Sequence, residues 1–278
     1  MKFGVHAGLW MARWTDELSP IIKEVADLGF DGVEVSLLGM NDDKAAALGA
    51  LVRDAGLEVT CSDGLAGDKD ITSSDAAVRA AGVDYLRWTI ATTAKIGARG
   101  LAGVVYAPWG QFDPARKAER SAYAAEAFHT LDSDLAERGV TLGIEAINRF
   151  ETDLVNTAHE ARAIADAAAS DHVGILLDSF HLNIEEKDIK AAIGVAADKL
   201  VHFHISENDR GLPGSGHIAW TDVREGLQNI DYDGWIVAEM FVIEGNPASA
   251  DLNIWRPIET NATTTASDAL AFMRKTFV

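Results

Sequence analysis

The chain alternates eight times between a short apolar segment of β-forming residues and a longer segment of helical periodicity. Strands separated by helices predict right-handed βαβ units and a parallel sheet. Eight such units in 278 residues predict a single-domain α/β fold, a (β/α)8 barrel spanning residues 1–278. The predicted strands are 2–7, 32–36, 57–61, 100–106, 141–145, 173–178, 199–204 and 234–239. The predicted helices are 15–28, 42–55, 74–97, 114–138, 157–169, 184–196, 221–229 and 262–276.

A doubly wound open sheet is the alternative fold for this alternation. That fold usually carries a glycine-rich phosphate-binding turn, G-x-G-x-x-G, after its first strand. The corresponding segment here reads HAGLWMARW and lacks that pattern. Since no proline- or serine-rich linker divides the chain either, one barrel domain is the simpler interpretation.

Composition and charge narrow the classes of partner. The formal net charge of −19 repels phosphate backbones, so no nucleic-acid partner is expected. No apolar run is long enough to cross a bilayer, so no membrane partner is expected. The single cysteine, Cys61, excludes an internal disulfide, and the N-terminus lacks a signal-peptide pattern. A cytoplasmic location is therefore expected.

Four predicted strands in the second half each end in a side chain that can bind a metal ion. These side chains are Glu145, Asp178, His204 and Glu239. Because the carboxyl ends of barrel strands meet at one rim, we expect them to face a common point. Three carboxylates and one imidazole suit Mn²⁺, Mg²⁺ or Co²⁺ better than structural zinc. Taken singly, each has a structural explanation, such as a turn cap for Asp178 or a satisfied core histidine for His204.

The two glutamates also predict a reaction. Three carboxylates around a divalent ion leave about one negative charge in excess, which suits a site that removes a proton. Glu145 and Glu239 come from the fifth and eighth strands, so they can lie on different sides of a substrate. One can then remove a proton from a carbon while the other delivers a proton to the opposite face.

Polar residues follow three of these ligands at short intervals. Glu151, His181 and Arg210 lie six, three and six residues after their ligands and can hydrogen-bond the hydroxyls of a small polyol. The alternatives are an ion pair with Arg149 for Glu151 and a solvated loop charge for Arg210.

With these residues the sequence becomes similar to a known family. The segments IEAINRFETDLVNTA (144–158), LLDSFHLNIEE (176–186), HFHISENDRGLPGSG (202–216) and GWIVAEMF (234–241) carry the similarity. They resemble the ketose 3-epimerases, the D-tagatose 3-epimerase and D-allulose (psicose) 3-epimerase family. Members of this family are xylose-isomerase-like TIM barrels.

The resemblance implies an isomerase that inverts C3 of a free ketose, of the fructose/allulose or tagatose/sorbose type. It implies a Mn²⁺ cofactor, with Co²⁺ or Mg²⁺ as alternatives, and a homodimer or homotetramer. Proton transfer would run through a metal-stabilised cis-enediolate. The implied roles are proton exchange for Glu145 and Glu239, metal binding for Glu145, Asp178, His204 and Glu239, and substrate binding for Glu151, His181, Arg210, Trp109 and His6.

The chain departs from the family pattern at several positions. Met240 replaces the usual proline after the last ligand, and His217 and Ala219 stand where a basic residue and proline are common. These departures leave substrate preference at C4 to C6 open.

Other functions on the same barrel remain as alternatives. An aldose/ketose isomerase or an inosose dehydratase would use a similar metal site. An endonuclease would need more histidines and a basic groove. A non-catalytic sugar-binding barrel would tolerate loss of a glutamate.

Overall fold

The computed structural model describes residues 1–242 and 251–278, and eight parallel strands form a closed barrel in it. Each strand pairs with the next along the chain, and the last pairs with the first. The strands are β1 (Lys2–His6), β2 (Gly32–Ser36), β3 (Glu58–Leu65), β4 (Gly100–Pro108), β5 (Thr141–Ala146), β6 (Val173–Asp178), β7 (Leu200–Ile205) and β8 (Trp235–Ala238). The predicted (β/α)8 fold is confirmed.

The described residues contain ten α-helices and four short 3-10 helices between and after the strands. None of these helices is both long enough and apolar enough to cross a membrane. The α-helices are α1 (Ser19–Leu28), α2 (Asp42–Asp54), α3 (Ala76–Ile96), α4 (Lys117–Thr130), α5 (Asp132–Arg138), α6 (Ala158–Ala167), α7 (Ser179–Glu185), α8 (Ile189–Ala196), α9 (Trp220–Asn229) and α10 (Ala262–Phe277). The 3-10 helices are Ala7–Leu9, Gly67–Lys69, Pro114–Arg116 and Ala197–Lys199.

Two predicted helices are wrong in extent. The helix predicted over 114–138 is a 3-10 turn followed by α4 and α5, which are separated at the buried Leu131. The helix predicted over 184–196 is two helices, because Glu186 is extended and Asp188 starts α8 by accepting from the N–H of Ala191. The first of these, α7, was not predicted as a separate helix. It begins directly after β6, where Asp178 accepts a hydrogen bond from the N–H of Phe180 at 2.7 Å.

The barrel strands are buried on both faces. All six residues of β6, VGILLD, are buried, and five of six in β7 are. Parallel strands covered by helices show such continuous apolar runs, because neither face reaches water. A polar side chain therefore finds room mainly at a strand end, and it is at these ends that the site lies.

The third strand runs furthest beyond its predicted end. The prediction ended the third strand at Cys61, but β3 continues to Leu65. Asp63 pairs in register with Gly103 of β4. Gly103 has φ +124°, and a Cβ there would lie 2.4 Å from the carbonyl oxygen of Asp63. Only glycine permits this approach, which keeps β3 paired as far as the rim.

Candidate active site

The four predicted metal ligands meet at the carboxyl end of the barrel. Glu145 lies near the end of β5, Asp178 ends β6, His204 lies near the end of β7, and Glu239 follows β8. One ligand atom from each lies within 4.8 Å of the corresponding atoms of the other three. The parallel register produces this convergence, since Asp178 lies opposite His204 and the N–H of Glu239 donates to Ile205 at 3.0 Å.

The imidazole of His204 presents one nitrogen to the carboxylates. Its Nδ1 lies 3.5 Å from Oε1 of Glu239 and 4.0 Å from Oε1 of Glu145. This nitrogen is buried and makes no well-directed hydrogen bond among the described residues. A buried imidazole nitrogen grouped with three carboxylates is a donor set that fits a divalent cation of the Mn²⁺, Co²⁺ or Mg²⁺ type.

The other nitrogen of His204 faces Glu34, a residue that sequence reasoning missed. Oε1 of Glu34 lies 2.9 Å from Nε2 of His204, and Oε2 lies 2.7 Å from Nε2 of His202. The hydroxyl of Thr60 donates to Oε2 at 2.9 Å. Glu34 lies within β2 and is fully buried. The sequence does contain an indication of this residue, because Glu34 is a charged residue inside the apolar segment GVEVS.

Arg210 lies beside the carboxylates and is not a solvated loop charge. It is 5% exposed, and its Nη1 donates to Oδ2 of Asp178 at 2.8 Å and to Oε2 of Glu239 at 2.9 Å. The guanidinium lies 4.1 Å from the centre of the Phe180 ring. The backbone of Arg210 is left-handed, with φ +70°, which costs a non-glycine residue about 1–2 kcal/mol. The hydrogen bonds to Asp178 and Glu239 offset this cost and keep the side chain over the site.

The loop that carries Arg210 folds around a second buried carboxylate. Glu207 is fully buried and accepts from Nε1 of Trp220 at 2.7 Å and from the N–H of Gly214 at 3.0 Å. Its backbone oxygen accepts from the N–H of Arg210 at 2.9 Å. The segment 206–220, irregular in sequence, is thus fixed by one side chain.

A chain of close polar contacts links four of the five predicted substrate residues around β5 and β6. Nε2 of His181 lies 3.1 Å from Nη2 of Arg210. Nδ1 of His181 accepts a hydrogen bond from the N–H of Asn148 at 3.1 Å. Asn148 donates to Oε1 of Glu151 at 2.7 Å, and Nε1 of Trp109 donates to Oε2 of Glu151 at 3.0 Å. Asn148, which sequence reasoning missed, is the centre of this chain.

The alternative pairing of Glu151 with Arg149 is not observed. Arg149 instead forms an ion pair with Glu185 at 2.9 Å.

His6 lies on the opposite side of the barrel mouth, at the end of β1. Its Nδ1 accepts from the N–H of Gly8 at 3.0 Å, which leaves Nε2 to donate to the hydroxyl of Ser62 at 3.1 Å. Its ring packs edge-on against Trp14 and Phe241, with ring centres 6.3 and 5.8 Å away.

All five predicted substrate residues and three of the four predicted ligands line one cavity of about 380 Å³. That volume is in the range of small-molecule sites. Asp178 is fully buried and is not part of the lining. Sequence reasoning did not assign several other lining residues to the site: Ser36, Leu38, Ser62, Asp63, Gly64, Leu65, Ala66, Gly103, Val104, Ile147, Phe241, Asp251 and Leu252.

The two glutamates have opposite electrostatic environments. Burial, with the charge of Glu239 beside it, raises the pKa of Glu145 well above its usual value. Burial also acts to raise the pKa of Glu239, but His204 and Arg210 outweigh it and lower that pKa. Burial raises the pKa of Asp178 to about 6. One carboxyl of the pair thus favours the protonated form and the other the ionised form.

Burial acts to lower the pKa of His204, yet Glu34 and Glu239 overcome it and raise that pKa well above its usual value. Burial and the neighbouring Arg210 lower the pKa of His181, so its imidazole stays neutral.

Comparison with known proteins agrees with this geometry. A sequence model of the xylose isomerase-like TIM barrel family matches residues 22–276. The chain is 34% identical over 284 residues to D-psicose 3-epimerase of Agrobacterium fabrum, covering 99% of this chain and 98% of that protein. It is 34% identical over 276 residues to L-ribulose 3-epimerase of Mesorhizobium japonicum, and the match covers 98% of this chain and 93% of that protein. A crystal structure of D-psicose 3-epimerase in the presence of D-fructose gives a TM-score of 0.94 at 32% identity, covering 100% and 99%. The chain belongs to the xylose isomerase-like TIM barrel family, its full-length relatives here are epimerases, and the predicted resemblance to ketose 3-epimerases is confirmed.

Proposed function

We propose that this protein is a metal-dependent ketose 3-epimerase that inverts C3 of a free ketose by proton transfer between two glutamates. The observation that carries the proposal is the pair Glu145 and Glu239, which come from the first and last of the four consecutive ligand-bearing strands and line one cavity. Relatives named as ketose 3-epimerases match the whole length of the chain.

Glu145, Asp178, His204 and Glu239 would hold the divalent ion, with Mn²⁺ first and Co²⁺ or Mg²⁺ as alternatives. When bound, the ion supplies Lewis acidity to the carbonyl and neighbouring hydroxyl of the sugar.

The proton chemistry belongs to the two glutamates. In one direction Glu239, ionised, takes the proton as the C3–H bond breaks, and Glu145, protonated, gives its proton to the other face of C3 as the new C–H bond forms. In the reverse direction the roles exchange. Before another turnover in the same direction, Glu239 releases its proton to solvent and Glu145 takes one up, which is the route by which solvent deuterium reaches C3. Since the bases stand on different strands, β5 and just beyond β8, they can address opposite faces.

The remaining predicted residues hold the sugar. Arg210 and neutral His181 offer hydrogen bonds beside the carboxylates, and Glu151 accepts from sugar hydroxyls while Trp109 fixes its orientation. Arg210 also restricts the orientation of the Glu239 side chain, because its Nη1 donates a hydrogen bond to Oε2 of Glu239 at 2.9 Å.

The charge of the cavity favours an unphosphorylated sugar. Among the described residues of its lining, Arg210 is the one lysine or arginine, and Asp178 and Glu239 already occupy its Nη1. Five carboxylates line the same space: Asp63, Glu145, Glu151, Glu239 and Asp251. A phosphate would meet repulsion without a nest of free donors.

The test is isotope exchange in D₂O with Mn²⁺. Fructose, allulose, tagatose and sorbose are each supplied, and deuterium is located by NMR. We expect interconversion of C3 epimers with deuterium at C3. An aldose product with deuterium at C2 would indicate an aldose/ketose isomerase instead. In a parallel assay supplied with an inosose, loss of water would indicate a dehydratase.

Matched variants test the two-base assignment. Glu145→Gln and Glu239→Gln should each lower turnover by at least about 10²-fold. Glu58→Gln is the control, because the Glu58 side chain is 58% exposed and pairs with Lys2 away from the cavity. Full epimerase activity in Glu239→Gln would overturn the assignment.

We also propose a cytoplasmic homodimer or homotetramer. Phe150 and Trp255 are 73% and 71% exposed and line one surface depression beside Arg210. Large aromatic rings exposed together are typical of an interface. Sedimentation should give a dimer or tetramer that Trp255→Glu weakens, and a monomeric wild type would refute this.

A further inference from the structure

Asp63 is a buried carboxylate that the proposed proton transfer does not use. It lies near the end of β3, is 7% exposed and lines the cavity. The metal-ligand cluster comes from β5 to β8, and in the barrel order β3 is diametrically opposite β7. Asp63 therefore lies on the wall of the cavity that faces the cluster.

The carboxylate of Asp63 is held in place, but it accepts fewer hydrogen bonds than a carboxylate can. Oδ1 accepts from the N–H of Gly64 at 2.9 Å, and Oδ2 accepts from the hydroxyl of Tyr85 at 2.9 Å. Both donors are neutral, and a carboxylate can accept about four hydrogen bonds. The close approach of Gly103 behind Asp63 fixes its backbone. Burial raises the pKa of Asp63 to about 6, so the side chain is ionised at neutral pH and lacks a full set of partners.

The surroundings of Asp63 suit a hydroxyl and reject an anion. Leu65, Ala66 and Val104 are apolar neighbours in the cavity lining, whereas Ser62 and His6 are polar but already bonded to each other. Lys69 lies over the ring of Tyr85, with Nζ 4.1 Å from the ring centre, and is not among the lining residues. A hydroxyl of the substrate could donate the hydrogen bond that the Asp63 carboxylate still lacks, while a phosphate would be repelled by its negative charge.

We propose that Asp63 accepts a hydrogen bond from a hydroxyl at the end of the ketose remote from its carbonyl, and so makes the site specific for free, hydroxylated ketoses. This rests on the proposed function for the placement of the carbonyl at the ligand cluster. Asp63 is thus a specificity residue, selecting against deoxy and phosphorylated ends.

The experiment compares D-fructose, 6-deoxy-D-fructose and D-fructose 6-phosphate on the Mn²⁺-loaded protein. Dissociation constants from calorimetry and kcat/KM values are measured for wild type, Asp63→Asn and Asp63→Leu. Wild type should prefer D-fructose over the deoxy sugar by about 10–100-fold, the range for a hydrogen bond to a charged group. Asp63→Leu should reduce that ratio at least tenfold, mainly through KM, and Asp63→Asn should bind the phosphate better than wild type does.

The control is Asp171→Asn, an exposed aspartate outside the cavity, which should keep the wild-type ratios. Equal preference for fructose and its deoxy analogue in wild type, or ratios unchanged in folded Asp63→Asn and Asp63→Leu, overturns the role of Asp63. If no ketose is epimerised, the proposed function fails, and the binding ratios still decide the role of Asp63. Circular dichroism identifies a variant that has lost its fold, and Asp63→Asn preserves the side-chain volume.

Discussion

Replacing Glu34 by glutamine should weaken metal binding without removing any metal ligand. Glu34 is fully buried, with His202 at 2.7 Å, His204 at 2.9 Å and the hydroxyl of Thr60 at 2.9 Å. Burial opposes its charge, but His204 and His202 lower its pKa well below the usual value, so it is ionised. An ionised Glu34 keeps the proton of His204 on Nε2 and leaves Nδ1 free for the ion.

The size of the effect follows from these contacts. A glutamine of the same shape has one oxygen, so one of the two histidines loses its acceptor and faces an amide donor. A hydrogen bond to a charged group contributes about 1.5–3 kcal/mol. Loss of an outer partner of a metal-binding histidine typically lowers affinity by about 10–100-fold, which corresponds to about 1.4–2.8 kcal/mol. The two figures agree, so we expect a loss of Mn²⁺ affinity within this range.

The assay is calorimetric titration of metal-stripped protein with Mn²⁺. Thr60→Val removes the neutral partner of Glu34 and should cost less affinity than Glu34→Gln. Glu58→Gln, an exposed glutamate on β3, should cost none. Mn²⁺ affinity equal to wild type in a folded Glu34→Gln variant would refute the idea that Glu34 orients His204.

Three further outcomes are expected. Because the folded state raises the pKa of Asp63 from 3.8 to about 6, Asp63 should contribute a fall of up to about 3 kcal/mol in the free energy of unfolding as pH rises from about 4 to about 6. Asp178, whose pKa is also raised, keeps part of the fall in Asp63→Asn, so the fall in denaturant titrations should be smaller in that variant, and an identical pH dependence would contradict the raised pKa of Asp63. Gly174→Ala should destabilise by about 1–3 kcal/mol, because its Cβ would lie 2.4 Å from Val201. Gly194→Ala, with open space around it, should not destabilise, and equal melting temperatures for the two would count against the packing argument. Chelation should abolish activity, and Mn²⁺ at 100 times its dissociation constant should restore it and add about 2.7 kcal/mol of stability, but not in Asp178→Asn. Full activity in chelator would exclude the metal role.

Several features of the site could be predicted from local pattern. A ligand at the end of each of four apolar segments predicts convergence, because parallel strands in a barrel bring their carboxyl ends to one rim. Glu145, Asp178, His204 and Glu239 lie together as expected. The intervals to His181 and Arg210 placed those residues near the ligands, and both lie in the cavity lining.

Other features depend on contacts between distant parts of the chain. Glu34 is 168 positions from His202 (202 − 34), and only barrel closure brings β2 and β7 side chains together inside. Asp178 caps α7, as its structural explanation predicted, and also lies in the ligand cluster, so the two interpretations of this residue are compatible.

The barrel, the family and the set of ligand types can be inferred from the sequence, because they follow from periodicity and from residues a few positions apart. The way the charges of the site act on one another depends on the folded structure. Burial and neighbours across the barrel set the opposite pKa shifts of Glu145 and Glu239. They also account for the left-handed backbone of Arg210 and for the position of Asp63 opposite the ligand cluster. The physical reason is that a carboxylate's free energy depends on desolvation and nearby charges in space, and neither is encoded by spacing along the chain.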